Sequence, residues 1–133
     1  MSLRWYTVVV DCQDIAAQAR WWADTLDWRI VYEDEHEVAV IRPDVSVEPV
    51  PADRWASQPP GLVFVPVPEG KVVKNRLHID LAPYVDDDQS AAVERLVARG
   101  ATRVDVGQPD DVSWVVLADP EGNEFCVLRP RDR

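Results

Sequence analysis

Apolar and polar positions alternate along RWYTVVVDC (residues 4–12), with Tyr6, Val8 and Val10 on one side and Trp5, Thr7 and Val9 on the other. That period of two predicts a strand. The pattern then turns helical: Ile15, Ala19, Trp22 and Leu26 recur at steps of four, three and four and form one apolar stripe. Asp14, just before the stripe, offers a side-chain oxygen to the free amides of a helix start. Asp27, just after it, can take the left-handed turn usually left to glycine. Two strands are predicted next, over about 29–34 and 37–42, joined by a charged turn. Residues 43–60 are a proline-rich, irregular connection that contains Trp55. A loop this long inside a small domain is often functional. GLVFVPVP reads as a further strand, and PEGKVVK as an exposed turn.

The second half repeats the plan. NRLHIDLAP is predicted as a strand with Leu77, Ile79 and Leu81 on one face and Arg76, His78 and Asp80 on the other. The acidic run Asp86–Asp88 suits a helix start, where negative charge is favoured. Val93, Leu96 and Val97 give the helix its apolar stripe, and Gly100 ends it. TRVDV, SWVVLAD and EFCVLRP are predicted strands, the last two joined by the turn DPEGN, whose Pro120 and Gly122 supply tight-turn backbone angles. Each half is therefore strand, helix, strand, strand, strand. The fold class expected is α+β: two βαβββ modules forming curved mixed sheets around a shared cleft, with helices on the outer faces. One domain over residues 1–133 is expected, with module 1 at about 4–68, a linker at about 69–74 and module 2 at about 75–130.

Bulk properties narrow the function. The 133 residues are 47% hydrophobic and 29% charged, as in ordinary globular proteins. A net charge of −10 without a dense basic cluster argues against nucleic acid as a partner. It is compatible with a cationic or basic small ligand. No apolar run reaches the length of a membrane span, so no membrane partner is expected and the location expected is cytoplasmic. Cys12 and Cys126 are too few and too far apart for a disulfide framework and read as two reduced thiols. Glycine-rich phosphate loops, GxSxG, HExxH and CxxC are all absent.

The segments ARWWADTLDW, KNRLHIDL and LADPEGNEFCVL together resemble the vicinal oxygen chelate superfamily, specifically its glyoxalase-like or bleomycin-resistance-like domains. The resemblance spans nearly the whole chain, with Asp27 standing where the family usually has glycine. It implies a metal site with ligands on the first, fourth, fifth and eighth strands. These are commonly His or Gln, then Glu, Gln or His, then His, and finally Glu. Carried over, those positions fall on Thr7 (or Tyr6), near Val65, on His78 and on Cys126, with Glu124 two residues earlier on the same face. Of these four, His78 is the one expected ligand type present. A stable divalent site needs three or four placed donors, so no complete metal site is expected. If a metal binds, His78, Cys126 and Glu124 would be its ligands, and zinc, nickel, manganese or iron its identity.

The remaining candidates keep more than one role open. His78 is a metal ligand, a general base oriented by Asp80, or a hydrogen-bonded residue of a polar cleft wall. Arg76 can hold a carboxylate or phosphate in two parallel hydrogen bonds, or form an internal salt bridge. Cys126 is a thiol activated by His78 or a small buried residue. Trp55 can cover the cleft and stack on a planar ligand, or anchor its loop. Thr7, Trp55, Arg76, His78, Asp80, Glu124 and Cys126 are the expected ligand-binding set, with His78 as the catalytic candidate. Three functions follow from these residues and the resemblance. The first is a protein that binds a small organic molecule, with sequestration among its roles. The second is a lyase, isomerase or dioxygenase of the vicinal oxygen chelate type, metal-dependent or metal-free. The third is a subunit of a homodimer.

Overall fold

A computed structural model describes residues 3–133 of the chain. The backbone divides into two compact units, the first ending at Gly70 and the second beginning at Lys71.

The first unit contains β1 (Thr7–Cys12), α1 (Ile15–Leu26), β2 (Arg29–Glu33), β3 (Val38–Ile41), the single turn α2 (Ala52–Trp55) and β4 (Gly61–Pro66). Its sheet runs β1-β4-β3-β2, with β1 and β4 parallel and the other pairs antiparallel. The register lines up Val8 with Leu62 and Val40, and Val10 with Phe64 and Val38. Val38, Val40, Leu62 and Phe64 are all buried, and α1 packs against β2, β3 and β4. The helix begins as expected: the Asp14 side chain accepts from the Ala17 amide. It ends at Asp27, whose φ of 54° is left-handed, and the Trp28 amide folds back to the Ala23 carbonyl.

The second unit contains β5 (Asp80–Leu81), α3 (Gln89–Ala98), β6 (Thr102–Arg103), β7 (Val115–Ala118) and β8 (Glu124–Val127), in sheet order β5-β8-β7-β6. Here β5 and β8 are parallel, so the two units share one topology. Val93 and Leu96 of α3 are buried, as are Leu117, Phe125 and Val127 of the sheet. Asp88 caps α3 by accepting from the Ser90 and Ala91 amides. The DPEGN turn is closed by Asp119, whose carboxylate accepts from the amides of Glu121 and Asn123. Gly122 has a φ of 92° in that turn, which a side chain there would strain. Two mixed sheets with few helices make the expected α+β fold of paired βαβββ modules.

Several elements differ from expectation. The strand predicted over 75–83 shrinks to Asp80–Leu81, because only these two residues find ladder partners, in Cys126 and Val127. Leu77, predicted on its apolar face, is 90% exposed. TRVDV shrinks to Thr102–Arg103, since the Gln108 side chain takes the Val106 amide. The buried face of α1 is wider than one stripe and includes Gln18 and Trp21, the latter edge-on to Trp22. The 43–60 connection is not wholly irregular, because 52–55 forms a helical turn.

Candidate functional site

In the second unit, strand geometry gathers one group of side chains. A period of two puts His78 on the side of Asp80, and the parallel register sets Asp80 beside Cys126. The Cys126 amide donates to the Ile79 carbonyl, fixing that alignment beyond the end of β5. His78 Nδ1 lies 3.2 Å from Asp80 Oδ1. The ligand atoms of His78, Asp80 and Cys126 all fall within 4.8 Å of one another. Cys126 is buried, whereas the His78 and Asp80 side chains are 42% and 47% exposed. Burial first, then the charge and hydrogen bond of Asp80, push the Cys126 thiol above its ordinary pKa, with Lys74 pulling the other way. Without a further ligand, Cys126 is therefore a neutral thiol at pH 7.

Glu124 shares the face but not the group. Its carboxylate accepts from Lys71 Nζ at 2.9 Å and from the Asn75 amide at 3.0 Å. Both side chains of the ion pair are largely buried, at 16% and 13% exposed. Burial opposes ionisation of Glu124, but the Lys71 and Asn75 hydrogen bonds outweigh it and hold the carboxyl below the usual glutamate range. His78 and Cys126, expected beside Glu124, are grouped with Asp80, while Glu124 is turned to Lys71 and Asn75. Arg76 is exposed on the segment before β5 and makes no ion pair among the described residues, while Asp80 pairs with His78.

Thr7 and Trp55 belong to the first unit, where they line a pocket of about 410 Å³. Its floor includes Thr7, Ala39 and Val63, and the 45–50 segment and Trp55 form a wall. Val9, Val63 and Ala39 share this side of the sheet, opposite the residues that α1 covers. Arg4, not among the sequence candidates, and Tyr6, named there only as the alternative to Thr7, complete the pocket. The Arg4 guanidinium lies 4.9 Å from the Tyr6 ring centroid and 4.7 Å from that of Trp55. Its Nε is buried and has no hydrogen-bond partner among the described residues. The signal in the sequence was the adjacency of Arg4 and Tyr6 in RWY. Nothing local announced Trp55 as their neighbour.

A family model described as "Glyoxalase-like domain" matches residues 7–128. The chain belongs to the glyoxalase-like family. It is thereby placed in the vicinal oxygen chelate superfamily, and solved structures carry the same fold. A fosfomycin resistance protein, FosX, from Mesorhizobium loti is 16% identical, with 96% of this chain and 92% of that one covered and a TM-score of 0.63. A glyoxalase/bleomycin resistance protein/dioxygenase family enzyme from Burkholderia phytofirmans is 14% identical, with 96% and 98% covered and a TM-score of 0.67. FosX from Listeria monocytogenes, solved with Mn(II) and sulfate, is 10% identical, with 98% and 92% covered and a TM-score of 0.68. No curated protein sequence matches this glyoxalase-like chain. No helix among its described residues is long and apolar enough to cross a membrane.

The residues at the family's metal positions do not fit the Mn(II) ion of the Listeria relative. Val65 has no donor atom, and the Thr7 hydroxyl donates to the Val8 carbonyl at 3.3 Å. Cys126 brings sulfur, whereas manganese prefers carboxylate, carbonyl and water oxygen.

Proposed function

We propose that this glyoxalase-like protein binds a small, planar, largely apolar organic molecule in the first-unit pocket, with Trp55 stacking on it. The observation that carries this reading is the pocket itself, about 410 Å³ and walled by Trp55 and Tyr6 beside Arg4. That volume is in the range of small-molecule sites, which pair an apolar lining with a few orienting polar groups. The pocket's own charged lining residues are Arg4 and Glu48, one of each sign, so both ends of a polar ligand have a counterpart.

Equilibrium dialysis with naphthalene-sized compounds, neutral, amine-bearing and carboxylate-bearing, tests the reading. Saturable binding is expected, weakened about tenfold in Trp55→Ala through loss of roughly 1–1.5 kcal/mol of ring contact. If no compound saturates, or Trp55→Ala binds as the parent does, the pocket is not the site.

The His78–Asp80 pair favours a second reading, a metal-free proton-transfer enzyme. A carboxylate accepting from Nδ1–H would leave Nε2 as the basic nitrogen, the arrangement of an oriented general base. Arg76, with no ion pair of its own, would hold an anionic substrate. Turnover in a screen of lyase and isomerase substrates, abolished in His78→Gln, is the result this reading expects. Turnover that survives His78→Gln would refute it.

A further inference from the structure

The first-unit pocket contains a cation whose bonding is unfinished. Arg4 Nε is buried with no hydrogen-bond partner among the described residues, and Arg4 enters none of the ion pairs they form. A guanidinium cannot shed its charge to escape this, as a buried lysine can. A buried N–H left unpaired is costly until something supplies an acceptor. We propose that Arg4 is the anion-recognition residue of this pocket and that the ligand class is a planar aromatic monocarboxylate. The inference rests on the binding reading above and adds to it the ligand's charge and the residue that receives it.

The placement of Arg4 supports it first. The Gly61 amide donates to the Tyr6 carbonyl at 3.2 Å, which fixes Tyr6 at the head of β1. Arg4 lies 4.9 Å from the centroid of that ring and 4.7 Å from the centroid of Trp55, and the two rings are 6.3 Å apart. Ring faces attract a cation through their quadrupole, but they are far weaker hydrogen-bond acceptors than a carboxylate. They hold the guanidinium in place and leave its N–H groups for a stronger acceptor. A ligand ring packed against Trp55 brings a carboxylate on its edge to the same guanidinium. There the carboxylate accepts two parallel N–H bonds, with Nε–H as one donor. Trp55, 38% exposed on the single turn α2, shifts as the ligand seats and uncovers Nε.

The other charge in the lining does not reverse this preference. Glu48 is exposed, and an exposed carboxylate attracts an amine weakly because water and salt screen it. Arg4 is part-buried and screened less, so the anionic end of a ligand decides its affinity. A second carboxylate would meet no second cation, since every other lining residue is uncharged. That limits the ligand to one acid group on an otherwise apolar ring system.

The test is equilibrium dialysis of the full chain against three probes of one shape: 2-naphthoate, its methyl ester and 2-naphthylmethylamine. The acid should bind at least about tenfold tighter than the ester and the amine, as expected for hydrogen bonds to a charged partner. In Arg4→Gln the ratio of acid to ester affinity should fall to about one, with circular dichroism confirming the fold. Arg42→Gln removes an equal charge from outside the lining, where Arg42 pairs with Asp44, and should keep the ratio. Arg4→Lys keeps the charge but loses Nε–H and the paired-donor geometry, so it should retain only part of the preference. Equal binding of acid and ester by the parent overturns the proposal, as does a ratio that survives Arg4→Gln or is undiminished in Arg4→Lys. A preference for the amine overturns it too. Ester that binds through Trp55 with no gain for the acid sinks the role of Arg4 alone and leaves the binding reading standing. Failure of all three probes sinks both.

Discussion

Lys71 and Glu124 are the charged pair with most at stake among the side chains described. Two largely buried charges at 2.9 Å repay their desolvation only while both are present. Glu124→Ala strands the Lys71 ammonium and frees the Asn75 amide together, so a loss of about 1–3 kcal/mol is expected in urea unfolding. The pH dependence follows from the sign of the shift. Glu124 has a lowered folded pKa, so its contribution is fully present above the unfolded value and is lost as pH falls through the folded one. A parent whose stability falls more steeply than Glu124→Gln between about pH 5 and pH 3 is the expected result; parallel curves would remove Glu124 from the acid limb. His78, Asp80, Glu124 and Cys126 were legible as face-sharing residues because a period of two fixes the side each one takes. Their partners were not. Lys71 lies 53 positions from Glu124, and no local pattern reports a contact across that distance.

At the scale of elements, helix caps were read correctly because they depend on a few adjacent residues. Asp14 and the left-handed Asp27 sit where they were expected, and within the acidic run expected at the start of α3 it is Asp88 that caps the helix. Strand lengths were misread because a strand is as long as its neighbour allows. Residues 75–79 keep strand-like alternation, yet no ladder bonds reach Arg76 or Leu77, and the segment is tied down instead through Asn75 to Glu124. Asp27 offers a clean test at this scale. An L-residue in the left-handed region carries a strain that glycine lacks. Asp27→Gly should therefore stabilise the protein by about 0.5–1 kcal/mol in thermal unfolding, and Asp27→Ala should not. Equal effects of the two would mean that the Asp27 side chain, not its backbone angle, governs the helix end.

Across the whole molecule, the fold was legible because two βαβββ patterns repeat whatever the residue identities. The same independence lets relatives at 10–16% identity share it. Net charge is also a whole-molecule quantity, and it is a poor guide to a pocket whose charged lining is Arg4 and Glu48. The candidate pocket was only partly legible for the same reason: Arg4, Tyr6 and Trp55 meet through chain folding and not through a motif. The strand order has one more consequence, which concerns synthesis. In the first unit β4, made last, inserts between β1 and β3, and in the second β8 inserts between β5 and β7. Until residues 61–66 leave the ribosome, β1 has no partner and β3 shows a bare edge beside its hairpin with β2. Such an edge readily recruits stray strands. A translational pause that leaves residues 7–41 outside the ribosome and residues 61–66 still within it would therefore prolong an aggregation-prone state of the nascent chain, and one after residues 61–66 have emerged would shelter it.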